Sequence, residues 1–318
     1  MEGFIMMNQI ISEIGKVVKG KNDVVEKVLI ALFAGGHILM EDEPGLGKTT
    51  LAKAVSKVLG LESGRIQFTP DTMPSDITGY MNYNEKERDF EFREGAVMCN
   101  LLLADEINRT SAKTQAALLE AMEERTVTVD STTYSLPNPF AVIATQNPLT
   151  SGGTQPLPDS QLDRFMVRLS MGYPDVNAQL EMLMGTKQAE LRQLMTVEQF
   201  VALQQNIQDV VLSGEVCEYI VKLCESTRHS QDIVTGVSCR GAKSLVNMCK
   251  STAYFSGRNY IIPEDVEKVF VDVVSHRLVL SPKLRSGNVS QNDAAKRILE
   301  SCQKPRLLHG VWNRKVAV

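Results

Sequence analysis

Residues 41–50 read EDEPGLGKTT, and the fold turns on how this stretch is read. A short apolar run, His37-Ile38-Leu39-Met40, precedes it, and Leu51, Ala52, Ala54, Val55, Val58 and Leu59 follow at helical spacing. Strand, glycine loop and helix, in that order, form the context a phosphate-binding loop requires. Gly45 and Gly47 let backbone N–H groups converge on an anion, and the new helix presents its positive dipole end there. Lys48 would reach the β- and γ-phosphates of a nucleotide, and Thr49 would hold Mg²⁺. Their loop neighbours Glu43, Pro44, Leu46 and Thr50 are expected to line the same nucleotide. The usual pattern has glycine where Asp42 stands, and taken alone the segment also reads as an ordinary strand-to-helix turn.

The rest of the chain narrows the choice. With 318 residues, 43% of them hydrophobic, a sizeable core is available, and the length suggests about two domains. A net charge of −4 is not the global footprint of a protein that binds nucleic acid or an anionic membrane. A local exception is residues 301–318, where Lys304, Arg306, Arg314 and Lys315 occur without an acid. That tail reads as a solvated chain end or as a docking segment. The six cysteines form no C-x-x-C pair and lie away from histidines at zinc spacing, so buried free thiols in a reducing cytoplasm are expected. The N-terminus carries Glu2, Glu13 and Lys16 and does not read as a signal peptide. The uncharged apolar stretch 28–40 is too short to span a bilayer, so no membrane insertion is expected.

Short apolar runs at 99–104 and 140–145 read as buried parallel strands, and each ends in polar residues, Asp105-Glu106 and Gln146-Asn147. Two alternating stretches, near 79–95 and 126–136, read as hairpins. From Tyr173 onward helical periodicity takes over. The chain therefore divides into an α/β part with a largely parallel sheet, 1–175, and a helical domain, 176–318. In open α/β sheets, ligands bind beyond the carboxyl ends of the strands. There Asp105 would orient the Mg²⁺ shell, Glu106 would polarise the attacking water and Asn147 would position it. Alone, Asp105 and Glu106 read equally well as caps of the next helix.

Five segments carry a family resemblance: GGHILMEDEPGLGKTTLAKAV (35–55), IQFTPDTMPSDITGY (66–80), LLLADEINRTSAKTQAALLEAMEE (101–124), FAVIATQNP (140–148) and LPDSQLDRFMVRL (157–169). They resemble an AAA+ ATPase of the MoxR family, in family order and with near-family spacing. The helical half matches at GVSCRGAKSLV (236–246) and IIPEDVEKV (261–269). The resemblance implies an AAA+ P-loop αβα core followed by a helical lid. Lys48 and Thr49 become the Walker A pair, Asp105 and Glu106 the Walker B pair, and Asn147 sensor 1. Arg164 resembles the arginine finger, which reaches a neighbouring subunit's nucleotide, with Arg109 as an alternative interface arginine. Arg240 resembles sensor 2, although the family usually has proline where Cys239 stands. Val18 and Gly20 would border adenine. The two hairpins resemble the helix-2 and pre-sensor-1 inserts, which line a pore or remain structural decoration.

What the resemblance implies is a cytoplasmic ATPase with ATP and Mg²⁺ as cofactors, working as a homo-oligomeric, hexameric ring. Its action would be chaperone-like remodelling, maturation or activation of a client complex, with a partner bearing a von Willebrand factor A domain. The alternatives are a nucleic-acid motor and a magnesium-chelatase-type subunit. A ring gripping nucleic acid should carry a Lys/Arg-rich pore, but the second hairpin has Asp130 and no basic residue, so no nucleic acid is expected.

Overall fold

A computed structural model describes residues 2–43, 45–147, 155–184 and 189–305. Its strands before the helical half are β1 (Ile38–Glu41), β2 (Ser63–Gln67), β3 (Gly79–Asn84), β4 (Asp89–Glu94), β5 (Leu101–Asp105), β6 (Thr126–Val129), β7 (Thr132–Ser135), β8 (Ala141–Gln146) and β9 (Val167–Leu169). Five of these form one sheet in the order β2-β5-β8-β1-β9, and every pairing in it is parallel. The register sets Arg65, Leu103, Ile143, Ile38 and Val167 abreast. The carboxyl ends therefore finish at one rim, which collects the turn after β1, Asp105-Glu106 after β5 and Asn147 after β8.

Alternation along the strands splits their side chains between two cores. Leu39, Leu102, Ala104, Val142 and Ala144 pack with Leu118 and Met122 of the helix Ala112–Glu124. Ile38, Met40, Leu101, Leu103 and Ile143 face the helices Glu2–Gly15, Asn22–Phe33 and Lys48–Leu59. This second core continues through Phe200, Leu223, Leu245 and Phe270 of the helical half. The change of texture near residue 175 is thus not a gap in the apolar core. Phe33 illustrates the continuity, with ring centroids 4.6 Å from Phe200 and 4.9 Å from Phe255. Truncating such a side chain to alanine costs about 3–5 kcal/mol.

Local chemistry starts and stops the elements as their residue types dictate. Ser111, Thr196 and Ser238 cap the helices that follow them, each accepting from a backbone N–H in the first turn. Pro263 opens the helix Pro263–Val274, where its missing N–H costs nothing. Both hairpins form where alternation predicts them. Asp130 and Ser131 take positive φ values of 46° and 70°, as a two-residue hairpin turn demands. Stacking of Phe92 on Tyr134, at 3.9 Å, ties one hairpin to the other.

Two details differ from expectation. The helical half also contains a short antiparallel ladder, Ile233–Thr235 with Val279–Leu280, too brief to leave a visible alternation. Only Cys99, Cys224 and Cys249 are buried, whereas Cys217 and Cys239 face solvent from helix surfaces. No helix among the described residues is long and apolar enough to cross a membrane.

Candidate active site

The loop after β1 owes its shape to two glycines. Gly45 and Gly47 have φ of +83° and +89°, a region where side chains are strained, and Gly47 caps the helix Lys48–Leu59. A Cβ on Gly45 would meet nothing within 4 Å, so glycine is needed there for backbone conformation rather than for space. Lys48 Nζ donates to the carbonyls of Asp42 and Glu43 at 2.9 and 3.0 Å. Burial pulls the Lys48 pKa below its ordinary value, against the opposing charges of Asp42, Asp105 and Glu106.

Asp42, the departure from the glycine pattern, has a structural task. Its Oδ1 accepts from Ser170 Oγ at 2.6 Å and Gly172 N at 3.2 Å, and its Oδ2 from Met171 N at 2.6 Å. One buried carboxylate thus fastens the glycine loop to the segment after β9. The departure itself was the only trace of this in the sequence. Glu43 points elsewhere, and its carboxylate accepts from the Tyr173 hydroxyl.

At the end of β5, Asp105 Oδ2 accepts from Arg65 Nε at 2.9 Å and Oδ1 from Thr145 Oγ1 at 3.3 Å. Thr145 Oγ1 in turn accepts from Glu106 N at 2.9 Å. Glu106 adopts φ 57°, a conformation that costs about 1–3 kcal/mol for a non-glycine residue unless its surroundings hold it. Thr145 holds its backbone, and Arg109 Nε lies 2.9 Å from its carboxylate. Asn108 Nδ2 donates to the Asn147 carbonyl at 3.3 Å, which joins the ends of β5 and β8. Beneath the rim, the imidazole of His37 bridges helix and sheet. Its Nδ1 accepts from Val142 N at 3.0 Å, so its Nε2 carries the proton given to the Met122 carbonyl at 3.1 Å.

A cavity of about 360 Å³ opens where these strand ends meet. Gly45, Gly47, Lys48, Thr49 and Thr50 line it from the loop, and Asp105, Glu106 and Asn147 from the sheet. Arg65, Gln67, Thr145 and Gln146 also line it, and of these only Arg65 lies outside the segments that carry the family resemblance. Beside it lies a smaller cleft with Val17, Val18, Leu46, Met171 and Pro174 in its walls. Gly20 lies between Lys19 and Lys21, which also line that cleft, in a turn where an added Cβ would meet Ala178 and Asp175 at 3.1 Å. Pro44 falls outside the described residues, as do Arg306, Arg314 and Lys315 of the basic tail. Lys304 of that tail pairs with Glu264 and Glu267.

Arg164 and Arg240 do not line the cavity. They meet each other instead, around Glu123, an acid of the 101–124 segment to which the sequence assigned no role. Arg164 Nε donates to Glu123 Oε2 at 2.8 Å, and Arg240 Nη2 donates to Glu123 Oε1. The segment bearing Arg164 is clamped from the helical half. Arg277 Nε donates to Asp163 Oδ1 at 2.7 Å and its Nη2 to the Phe165 carbonyl at 2.7 Å, and Ser238 Oγ donates to Asp163 Oδ2 at 2.8 Å.

Comparison with known proteins agrees with this architecture. Residues 37–167 match the ATPase family associated with various cellular activities (AAA), and residues 225–298 match the AAA lid domain. The uncharacterized protein YeaC of Bacillus subtilis is 41% identical over 94% of this chain and 95% of its own length. Chaperone MoxR1 of Mycobacterium tuberculosis is 34% identical over 95% and 83%, and protein MoxR of Methylorubrum extorquens 29% over 85% and 86%. The crystal structure of a candidate ATPase from Cytophaga hutchinsonii superposes with a TM-score of 0.89 at 36% identity and covers 96% of each chain. With this sheet, this lid and these relatives, the chain belongs to the MoxR family of AAA+ ATPases.

Proposed function

We propose that the cavity hydrolyses ATP with Mg²⁺ in a ring of identical subunits. The work of that ring is chaperone-like remodelling, maturation or activation of a client complex in the cytoplasm, with a partner bearing a von Willebrand factor A domain. In this reading 1–175 is the nucleotide-binding core and 176–318 the lid. The observation that carries it is a separation. Lys48, Thr49, Asp105, Glu106 and Asn147 share one cavity, while Arg164 and Arg240 lie together outside it. Backbone N–H groups of the loop and Lys48 bind the phosphates. Glu106 takes a proton from the attacking water, and Asn147 holds that water in line. Val18 and Leu46 border the base. Arg164 and Arg240 stabilise charge on the phosphates of a neighbouring subunit's nucleotide.

The Thr49 hydroxyl and the Asp105 carboxylate suit Mg²⁺, which favours a few protein oxygens together with phosphate and water. When bound, the ion neutralises charge that develops on the phosphates. The remodelling assignment is supported by the relative named as a chaperone. It is also supported by the charge of the β6–β7 hairpin, which holds Asp130 but no Lys or Arg to grip a phosphate backbone.

The test uses Glu106→Gln, which should retain ATP and stall, as ATP-loaded bait in a native lysate, with Lys48→Ala as control. ATP-dependent recovery of a protein complex with a von Willebrand-type partner is expected. Recovery of DNA or RNA without protein would replace this reading with a nucleic-acid motor.

A further inference from the structure

Glu123 and Arg240 each sit at the wrong end of a helix. Glu123 lies in the last turn of the helix Ala112–Glu124, where the negative end of the dipole opposes a carboxylate. Arg240 lies in the first turn of the helix Cys239–Phe255, where the positive end opposes a guanidinium. Arg164 follows the short helix Asp159–Leu162. Two guanidinium groups brought this close repel unless an anion lies between them. Glu123 is that anion, and each of its carboxylate oxygens takes one arginine.

We propose that Glu123 is a positioning residue that holds Arg164 and Arg240 as a preset pair for the nucleotide of the adjacent subunit. The inference rests on the reading, given above, that these arginines act on another subunit's nucleotide. Its physical basis is preorganisation. Arginine side chains are long and lose entropy when fixed, and a pair already fixed by Glu123 avoids that loss at the moment of reaction. One carboxylate against two guanidinium groups leaves a net positive charge, so the pair still attracts a polyphosphate. Among the described residues, Arg164 donates through Nε alone, and a guanidinium has five donors. The side chains of Arg164 and Arg240 are 28% and 43% exposed, open to a docking subunit.

The test is steady-state ATP turnover by the full chain carrying Glu123→Gln, which keeps the shape and removes the charge, and by Glu123→Asp. Affinity for a fluorescent ATP analogue and the melting temperature are read alongside. Glu123→Gln should lower kcat on the order of tenfold to a hundredfold, the scale of a misplaced catalytic group, with nucleotide affinity and melting temperature unchanged. Glu123→Asp should recover part of the loss. When Glu123→Gln subunits are mixed with Glu106→Gln subunits, turnover should rise above that of either alone, since each supplies the half the other lacks. An unchanged kcat overturns the proposal. So does a raised kcat, which would make Glu123 a trap for the arginines, and so does a fall without recovery on mixing. Undiminished turnover by Arg164→Ala removes the underlying reading as well. A strong Arg164→Ala defect beside a normal Glu123→Gln enzyme removes this inference alone.

Discussion

The nucleotide cavity and the arginine cluster are built in opposite ways. The cavity gathers side chains from the first residues after three neighbouring strands, so a short local sequence delivers each one to the rim. The cluster gathers Glu123, Asp163, Arg164, Ser238, Arg240 and Arg277, which come from four segments far apart in sequence and meet through tertiary packing. The cavity brings together the glycine loop, Lys48, Asp105, Glu106 and Asn147. The cluster holds two arginines that do not line that cavity. On the proposed function, binding and turnover should come apart: one subunit would suffice for the first and two would be required for the second.

The sharpest way to break that comparison is Arg164→Ala. If the arginine acts across a subunit boundary, turnover should fall on the order of 10³–10⁵-fold while ATP binding is kept. Phosphate release and a nucleotide titration on the same preparation check both halves. Near-normal turnover would make Arg164 a plain surface partner of Glu123. Next in size is Glu106→Gln, whose loss of a general base should lower kcat on the order of 10²–10⁴-fold, again with ATP retained. The two variants differ in where the defect lies. Mixed together, they should restore activity that neither has alone, because one keeps an intact cavity and the other an intact arginine.

A third measurement probes the clamp that joins the arginine segment to the lid. The Arg277 side chain is 2% exposed, and its salt bridge to Asp163 is largely shielded from solvent. Arg277→Met leaves that carboxylate without its charged partner, with only the Ser238 hydroxyl remaining, and should cost about 3–5 kcal/mol in urea unfolding. If the two regions are separate as described, the folded variant should still bind ATP with ordinary affinity. A variant that folds normally but fails to bind nucleotide would show that the lid shapes the cavity directly.

How much of this was legible in sequence follows the same division. Gly45, Gly47, Lys48, Asp105 and Asn147 were readable because each sits at a strand end, where spacing along the chain determines position in space. The parallel sheet and both hairpins were readable for the same local reason. Asp42 was visible only as a departure from a pattern, because its partners Ser170, Met171 and Gly172 lie on a distant segment. Arg65 gave no signal, since an exposed-looking arginine on an edge strand becomes a ligand of Asp105 only through the β2–β5 register. Resemblance marked Arg164 and Arg240 as functional. Their meeting at Glu123 depends on how the lid packs, which no periodicity encodes.

Buried histidines offer the finest contrast, one beneath each region. His37 supports the sheet under the cavity, and His276 lies 3.0 Å from the Phe165 carbonyl beside the arginine segment. Desolvation lowers the pKa of His37 to about 3, and that of His276 well below its ordinary value, helped by Arg277. Both are therefore neutral in the fold. In the unfolded chain each has a pKa of about 6.5, so below that pH the unfolded state binds protons that the fold refuses. The contribution of His37 is complete above about 6.5, declines as the pH falls and levels off once the pH passes through about 3. The slope in that window is about 1.4 kcal/mol per pH unit for each such group. Urea unfolding of the wild-type chain and of His37→Gln between pH 7 and pH 5 isolates one of the two. The variant should be less stable at pH 7, where it lacks the imidazole bridge, yet lose less as the medium is acidified. Parallel curves would mean that His37 takes up its proton without unfolding, and that the sheet beneath the cavity is more open to water than its burial implies.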